Sequence, residues 1–349
     1  MKMHRSFLQV GLSVAVLTLA VRGIAGVTLT EDDMKRTGEA GRLARVGKPS
    51  ATTVPSERHK KGSSSHQRIV KAFAAAPEHP IVLFGDSLTD NWRGKRFEYM
   101  ATNFPVVNAG ICADRIEDVL WRLNDMLPAM KAKPPKLVTF MVGANNMGDR
   151  YTAEDVCEGQ RNLVRIVREN LPSTKVIVFA IPPEAVCHDP HPKPYCAAAN
   201  RLYRTIADDE NVFFFDFSEL LVDKHATTLL TDLYTGDRVH FTDKGYAEVI
   251  TPFIAGAIRL VLSPNRPKDY TRRIGMWREY LEARLRLATR NQSTEERWRN
   301  EFFLYDLPRS LMKEFAALEK DPNYVPQLPE ECLRQNREEG LPKEFDGLR

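Results

Sequence analysis

The sequence predicts an α/β protein built on an open, doubly wound parallel sheet of five strands, and two observations carry that expectation. Five short runs are apolar at nearly every position: 80–84, 105–107, 137–142, 176–181 and 212–217. Strands buried on both faces read this way, because helices cover both sides of a parallel sheet. The stretches between these runs are longer and repeat their apolar residues at helical spacing. In such a fold, function is expected at the carboxyl ends of the strands.

The elements follow in order. Residues 1–26 carry a basic head of Lys2, His4 and Arg5, fifteen uncharged residues from Phe7 to Val21, and the small-residue stretch Gly23-Ile24-Ala25-Gly26. This is the layout of a secretory signal peptide and places the protein in the secretory pathway, secreted or lumenal. Uncleaved, the same segment would serve as a one-span membrane anchor, although it is short of the ~20 residues that cross a bilayer. Residues 27–66 have little periodicity and are expected to form a flexible leader, with order beginning near Gln67. After the second strand, Glu117 to Leu127 sets Val119, Leu120, Leu123, Met126 and Leu127 on one helical stripe; 154–170 repeats the pattern with Val156, Leu163, Ile166 and Val167. A last helix is expected from Asp243 to Val261. Pro264 and Pro267 mark a boundary, so 67–263 is read as one domain and 264–349 as a helical, then Pro- and charge-rich, C-terminal extension. Met276, Trp277, Tyr280, Leu281, Leu285 and Leu287 give that extension an apolar side, which either packs back on the domain or docks to a partner.

Composition excludes some classes. The 50 basic and 46 acidic residues are interleaved and leave a net charge of +4, so nothing points to nucleic acid. The five cysteines include Cys187 and Cys196, which enclose a Pro- and His-rich loop expected to border the cleft. They could close a disulfide in an oxidising compartment or lie in an ordinary surface loop. The spacing in Cys187-His188-Asp189-Pro190-His191 matches no standard zinc pattern. Asn291 heads an Asn-x-Ser glycosylation sequon.

The candidate chemistry starts at Gly85-Asp86-Ser87-Leu88, directly behind the first strand. A serine hydroxyl there needs a base, an orienting carboxylate and donors for an oxyanion. Asp237 and His240, three apart on one loop, supply a carboxylate for Nδ1 while Nε2 faces Ser87. The Ser87 N–H, the Gly110 N–H and the Asn145 side-chain amide are the candidate oxyanion donors, each at a strand end. Gly and Asn are also ordinary turn residues, which is the alternative for both. Asp86 reads as a brace or helix cap, Trp92 as a cleft wall or a packing residue, Asp114 and Arg115 as supports of the Gly110 loop, and Asn146 as a brace for Asn145 or a plain turn residue.

The order Gly85-Asp86-Ser87-Leu88, Asn108-Ala109-Gly110, Gly143-Ala144-Asn145-Asn146 and Asp237-Arg238-Val239-His240 resembles the four blocks of the GDSL or SGNH hydrolase family. Across 75–262 it looks most like the platelet-activating-factor acetylhydrolase catalytic subunits. Where those relatives commonly have Gly before the Asp of the second block, this chain has Cys112-Ala113-Asp114. The resemblance implies a flavodoxin-like three-layer α/β/α sandwich and hydrolysis of esters with no metal or other cofactor. The substrate it implies is a short-chain, acetyl ester of a lipid or small molecule; a carbohydrate O-acetyl ester, or the substrate of a lysophospholipase or lipase, is the alternative. Outside enzymes, a secreted binding scaffold is the competing reading. The sequence leaves the oligomeric state open.

Overall fold

A computed structural model of the protein describes residues 51–56, 63–185, 187, 191–193, 195–223, 228–268, 270, 271, 274 and 307–327. The signal-like segment, Asn291, Cys332 and the apolar stripe from Met276 to Leu287 lie outside them.

The element order is α1 (Ser64–Ala75), β1 (Ile81–Gly85), α2 (Ser87–Asp90), α3 (Lys95–Asn103), β2 (Val106–Gly110), α4 (Ile116–Ala132) and β3 (Leu137–Met141). It continues through α5 (Ala144–Gly148), α6 (Ala153–Asn170), β4 (Lys175–Phe179), α7 (Tyr195–Arg204) and β5 (Val212–Phe215). A long loop then leads to α8 (Asp243–Gly245), a π-helical turn (Tyr246–Ile250), α9 (Thr251–Leu262) and α10 (Leu307–Lys320). All five strands are parallel, in the order β2-β1-β3-β4-β5. This is the expected sandwich, and the order reverses between β1 and β3.

Strand alternation splits the core into two layers. Ile81, Leu83, Leu137, Met141, Ile177, Phe179, Phe213 and Phe215 face one way, onto Met100 of α3, Phe253 and Ile258 of α9, and Leu311 and Phe315 of α10. Val82, Phe84, Val138, Phe140, Val176, Val178 and Val212 face the other, onto Ile69 and Phe73 of α1, Leu120 and Leu123 of α4, Leu163 and Val167 of α6, and Ala198 and Tyr203 of α7. With both faces covered, a strand needs apolar residues throughout, which is why the five runs were visible in the sequence.

Two expectations change, and one alternative left open is decided. The leader is packed where it is described: Ala51–Thr53 forms a 3-10 turn whose Thr52 is fully buried and donates to the Asp155 carbonyl at 2.6 Å. Gly159 of α6 makes room for it, since a Cβ there would lie 2.5 Å from the Thr52 Cβ. Order also resumes at Ser63, which caps α1 by accepting from the His66 N–H. Helix α4 runs past Leu127 through Pro128 to Ala132, because burial of Met126 and Met130 outweighs the hydrogen bond that a proline forfeits. Within the extension, α10 packs back on the domain: Phe315 meets Phe253 edge-on at 5.4 Å and Phe215 at 6.4 Å.

Candidate active site

The reversal of strand order decides where the site lies. Gly85 of β1 pairs with Gly110 of β2 on one side and Met141 of β3 on the other, so three chains leave the sheet side by side. Crevices open at such switch points, and Ser87 sits two residues past Gly85. It opens α2, which Asp86 caps by accepting from the Leu88 N–H at 3.0 Å. As the first N–H of a helix, that of Ser87 has no intrahelical acceptor.

The base arrives from the loop after β5. His240 Nε2 lies 2.9 Å from Ser87 Oγ, and His240 Nδ1 lies 2.6 Å from Asp237 Oδ2. The loop carries its own scaffold. Asp237 Oδ1 accepts from the Val239 N–H (2.9 Å), the His240 N–H (3.0 Å) and the Thr235 hydroxyl (2.7 Å). The Thr235 N–H closes the turn on the His240 carbonyl at 2.7 Å, and Arg238 adopts φ +60° at the bend. Partial burial pushes the Asp237 carboxyl up, but the bonds from the His240 ring, the His240 and Val239 N–H groups and Thr235 hold it well below the usual carboxylate range. A carboxylate that stays ionised fixes the Nδ1–H tautomer and leaves Nε2 to accept from the serine. Ser87 itself is buried, with 6% of its surface exposed, while His240 is half-buried.

Asn145 opens to the same crevice from the end of β3. One hydrogen of its amide goes to the Asp114 carbonyl at 2.9 Å; a carboxamide has two, and the second has no acceptor among the described residues. Asn146 faces the other way and is fully buried. Its Oδ1 accepts from the Ile116 N–H at 3.0 Å and its Nδ2 donates to Glu117 at 2.9 Å, so it joins α5 to α4 and does not touch Asn145.

Gly110 departs from expectation. Its N–H donates to Asn108 Oδ1 at 2.9 Å and is therefore committed. A Cβ at Gly110 would lie 2.3 Å from the Asp90 nitrogen, so the missing side chain serves to seat α2 against β2. Beyond it, Ala113 holds φ +61°, in the left-handed region that favours glycine.

The expected disulfide is also corrected. Cys187 and Cys196 are both free thiols: Cys187 is exposed and its Sγ–H points to the Gly236 carbonyl at 3.4 Å, while Cys196 is buried in α7 against the core. Residues 188–190 lie outside the described residues. Trp92 is a packing residue, 1% exposed, with Nε1 donating to the Arg96 carbonyl at 2.7 Å and its ring stacked on Tyr246.

Two groups at the site, Arg122 and Glu184, had no recognisable sequence signal. Arg122 of α4 is fully buried; Nε meets Asp114 at 2.8 Å and Nη1 donates to the Ala109 carbonyl at 2.7 Å. Together with Asp114, which has its expected role, it holds the loop after β2. Arg115 instead pairs with Asp149. Glu184, on the loop after β4, is buried, takes the Tyr195 hydroxyl as partner and lies within electrostatic range of His240; burial pushes its carboxyl up. Asp86 Oδ2 has no hydrogen-bond partner among the described residues. Burial, with the nearby Asp114 and Glu184 carboxyls adding to it and the Leu88 N–H and His240 opposing it, raises Asp86 to about 7. No cluster of three or more His, Cys, Asp or Glu side chains suited to a metal ion occurs among the described residues.

A five-stranded parallel sandwich with a serine, histidine and carboxylate relay at its strand ends has the layout of an esterase-type hydrolase. Comparison with known proteins agrees. The model of the GDSL-like Lipase/Acylhydrolase family matches residues 83–248. Platelet-activating factor acetylhydrolase IB subunit alpha1 of Homo sapiens is 32% identical over 209 residues, spanning 57% of this chain and 83% of that protein. Subunit alpha2 of Rattus norvegicus is 31% identical over 218 residues, 60% of this chain and 88% of that one. A solved structure of an acylhydrolase-like protein from Bacteroides fragilis superposes with a TM-score of 0.45 at 20% identity, over 55% of this chain and 96% of that chain. The chain belongs to the GDSL-like lipase/acylhydrolase family, within which it is similar to the platelet-activating factor acetylhydrolase subunits, and it is an ester hydrolase.

Proposed function

We propose that the protein hydrolyses short-chain, acetyl esters of a lipid or small molecule through an acyl-enzyme on Ser87. The observation that carries this reading is the continuous relay from Ser87 Oγ through the His240 ring to Asp237, at 2.9 and 2.6 Å. His240 Nε2 takes the serine proton as Oγ attacks the ester carbonyl. Asp237 steadies the imidazolium that forms. The resulting oxyanion is received by the Ser87 N–H and the free hydrogen of Asn145 Nδ2; Gly110 is left out because its N–H is committed. His240 returns the proton to the departing alcohol, the C–O bond breaks, and water repeats the sequence to release the acid. The acetyl preference rests on the names of the curated relatives, which are acetylhydrolase subunits.

Turnover of p-nitrophenyl acetate by the wild type and its loss in Ser87→Ala, with the melting curve unchanged, is the expected result. Retained turnover in that variant would sink the nucleophile assignment. Rates on acetyl, butyryl and octanoyl esters test the acyl preference: equal or rising rates along the series overturn it. The signal-like layout of residues 1–26 supports a further proposal, entry into the secretory pathway, which N-terminal sequencing of the mature protein tests.

A further inference from the structure

The strand ends that carry the site's chemistry are tied together through one side chain. Arg122 of α4 has none of its side-chain surface exposed, and its guanidinium is spread over three partners. Nη1 donates to the Ala109 carbonyl near the end of β2 at 2.7 Å, and Nη2 reaches the Gly85 carbonyl at the end of β1 at 3.3 Å. Nε and Nη2 both donate to Asp114 Oδ2, at 2.8 and 2.5 Å. The Asp114 main chain carries the link onward, since its carbonyl accepts from Asn145 Nδ2 at 2.9 Å, beyond the end of β3. A planar fork of donors makes such a junction; the single point charge of an ammonium does not span it.

The loop under this junction needs a restraint. Ala113, next to Asp114, sits at φ +61°, a conformation that a residue with a Cβ keeps only when its surroundings impose it. The Asp114 and Arg122 side chains are both fully buried, and a buried ion pair adds little net stability once desolvation is counted. Its use is therefore sought in geometry. Of the strand ends it touches, β1 is already fixed by its ladders to β2 and β3. Asn145 has no ladder to hold it: it belongs to the short α5 beyond β3, and the Asp114 carbonyl is the one partner of its amide among the described residues.

We propose that Arg122 is a positioning residue for the oxyanion donor: through Asp114 it sets the direction in which the Asn145 amide presents its second hydrogen to the carbonyl that Ser87 attacks. The inference rests on the nucleophile reading above and adds to it a residue that does not touch the substrate. Oxyanion donors are effective because they need no reorganisation as charge develops, so a loosened Asp114 loop lowers the rate without weakening ester binding.

The test compares Arg122→Lys, Asn145→Ala and the double variant, as full chains, on p-nitrophenyl acetate, with rates expressed per site titrated by a fluorophosphonate so that misfolded protein is not counted. Arg122→Lys keeps a cation for Asp114 and gives up the fork. It is expected to lower kcat by about 10–10²-fold, no more than the loss of one oxyanion donor, with KM changed by less than about threefold. In the Asn145→Ala background the same substitution should cost no more than about twofold, because the donor it positions is already gone. Asp114→Asn weakens the link from its other side with a neutral acceptor of the same shape, and should repeat both results. A full second loss in the double variants overturns the proposal, as does a normal kcat in Arg122→Lys and Asp114→Asn, or a loss that falls mainly on KM. Amide hydrogen exchange gives a readout that needs no turnover. Residues 111–115 should exchange about tenfold faster in Arg122→Lys while β4 is unchanged, the mark of a local opening. Unchanged exchange in 111–115, or equal acceleration in β4, overturns the proposal. If the wild type turns over no ester, the nucleophile reading fails, and the exchange result alone decides whether Arg122 sets the loop.

Discussion

At the scale of single residues, the site is governed by which hydrogen-bonding groups are already spent. Asn145 has one amide hydrogen on the Asp114 carbonyl and one uncommitted. Asn145→Ala is expected to lower kcat by about 10²–10³, the usual scale for one oxyanion donor, with a smaller change in KM. A near-normal kcat in steady-state assays would show that the amide does not reach the oxyanion. Asp86 presents a different kind of burden. Its carboxyl titrates near 3.8 in the unfolded chain and at about 7 when folded. Between those values the folded state keeps a proton that the unfolded state has released, so this group makes stability fall as pH rises from about 4 to 7. Asp86→Asn keeps an acceptor for the Leu88 N–H and removes the titration. Urea unfolding at pH 5 and pH 8 should show a flatter dependence in the variant, by at most about 3 kcal/mol; an identical slope would mean that Asp86 is ionised in the folded protein across that range.

At the scale of elements, small residues mark where chains approach each other. Gly110 admits α2 and Gly159 admits Thr52, while Gly256 in the middle of α9 admits Phe315 of α10, whose Cγ would lie 2.1 Å from an added Cβ. Glycine inside a helix costs roughly 1 kcal/mol relative to alanine, so Gly256→Ala would stabilise an isolated α9. In the folded protein it is expected to destabilise, because the obstacle is the root of a buried ring. Phe315→Ala should cost about 3–5 kcal/mol, the range for emptying a buried aromatic site. In that background Gly256→Ala should turn neutral or stabilising, and chemical denaturation of the four proteins closes the cycle. Additive effects would show that the two residues do not meet. The sequence displayed the glycine and the phenylalanine but gave no sign that residues 59 apart share a contact.

At the scale of the whole molecule, the extension and the hydrolase domain share a core. Leu311, Phe315 and Leu318 are buried with Phe215, Phe253 and Ile258 in a single apolar layer. A chain ending at Asp306 should therefore lose about 5 kcal/mol or more, at ~1.5–3 kcal/mol for each buried side chain, with a Tm lower by roughly 10–20 °C in calorimetry. An unchanged Tm would show α10 to be peripheral. Much of the architecture was legible beforehand: the strands begin within one residue of their expected positions, since burial on both faces leaves an uninterrupted apolar run. Ser87, Asp237 and His240 were legible because each directly follows an element or a turn whose signature is local. Gly110 was misjudged because a glycine reports that something comes close without saying what. In the structure the close neighbour is the backbone of α2. Arg122 and Glu184 were invisible because a charged residue on a helix or loop reads as solvent-facing until its partners, 8 and 11 residues away in Asp114 and Tyr195, are seen to be buried with it. The sequence by itself determined the three-layer α/β/α fold and the three residues of the relay, since both depend on local pattern. Only the tertiary structure decided which oxyanion donors are uncommitted, that Cys187 and Cys196 stay apart, and that α10 seals the core layer of Phe215 and Phe253. Those outcomes depend on distances between segments remote in sequence, which no local pattern encodes.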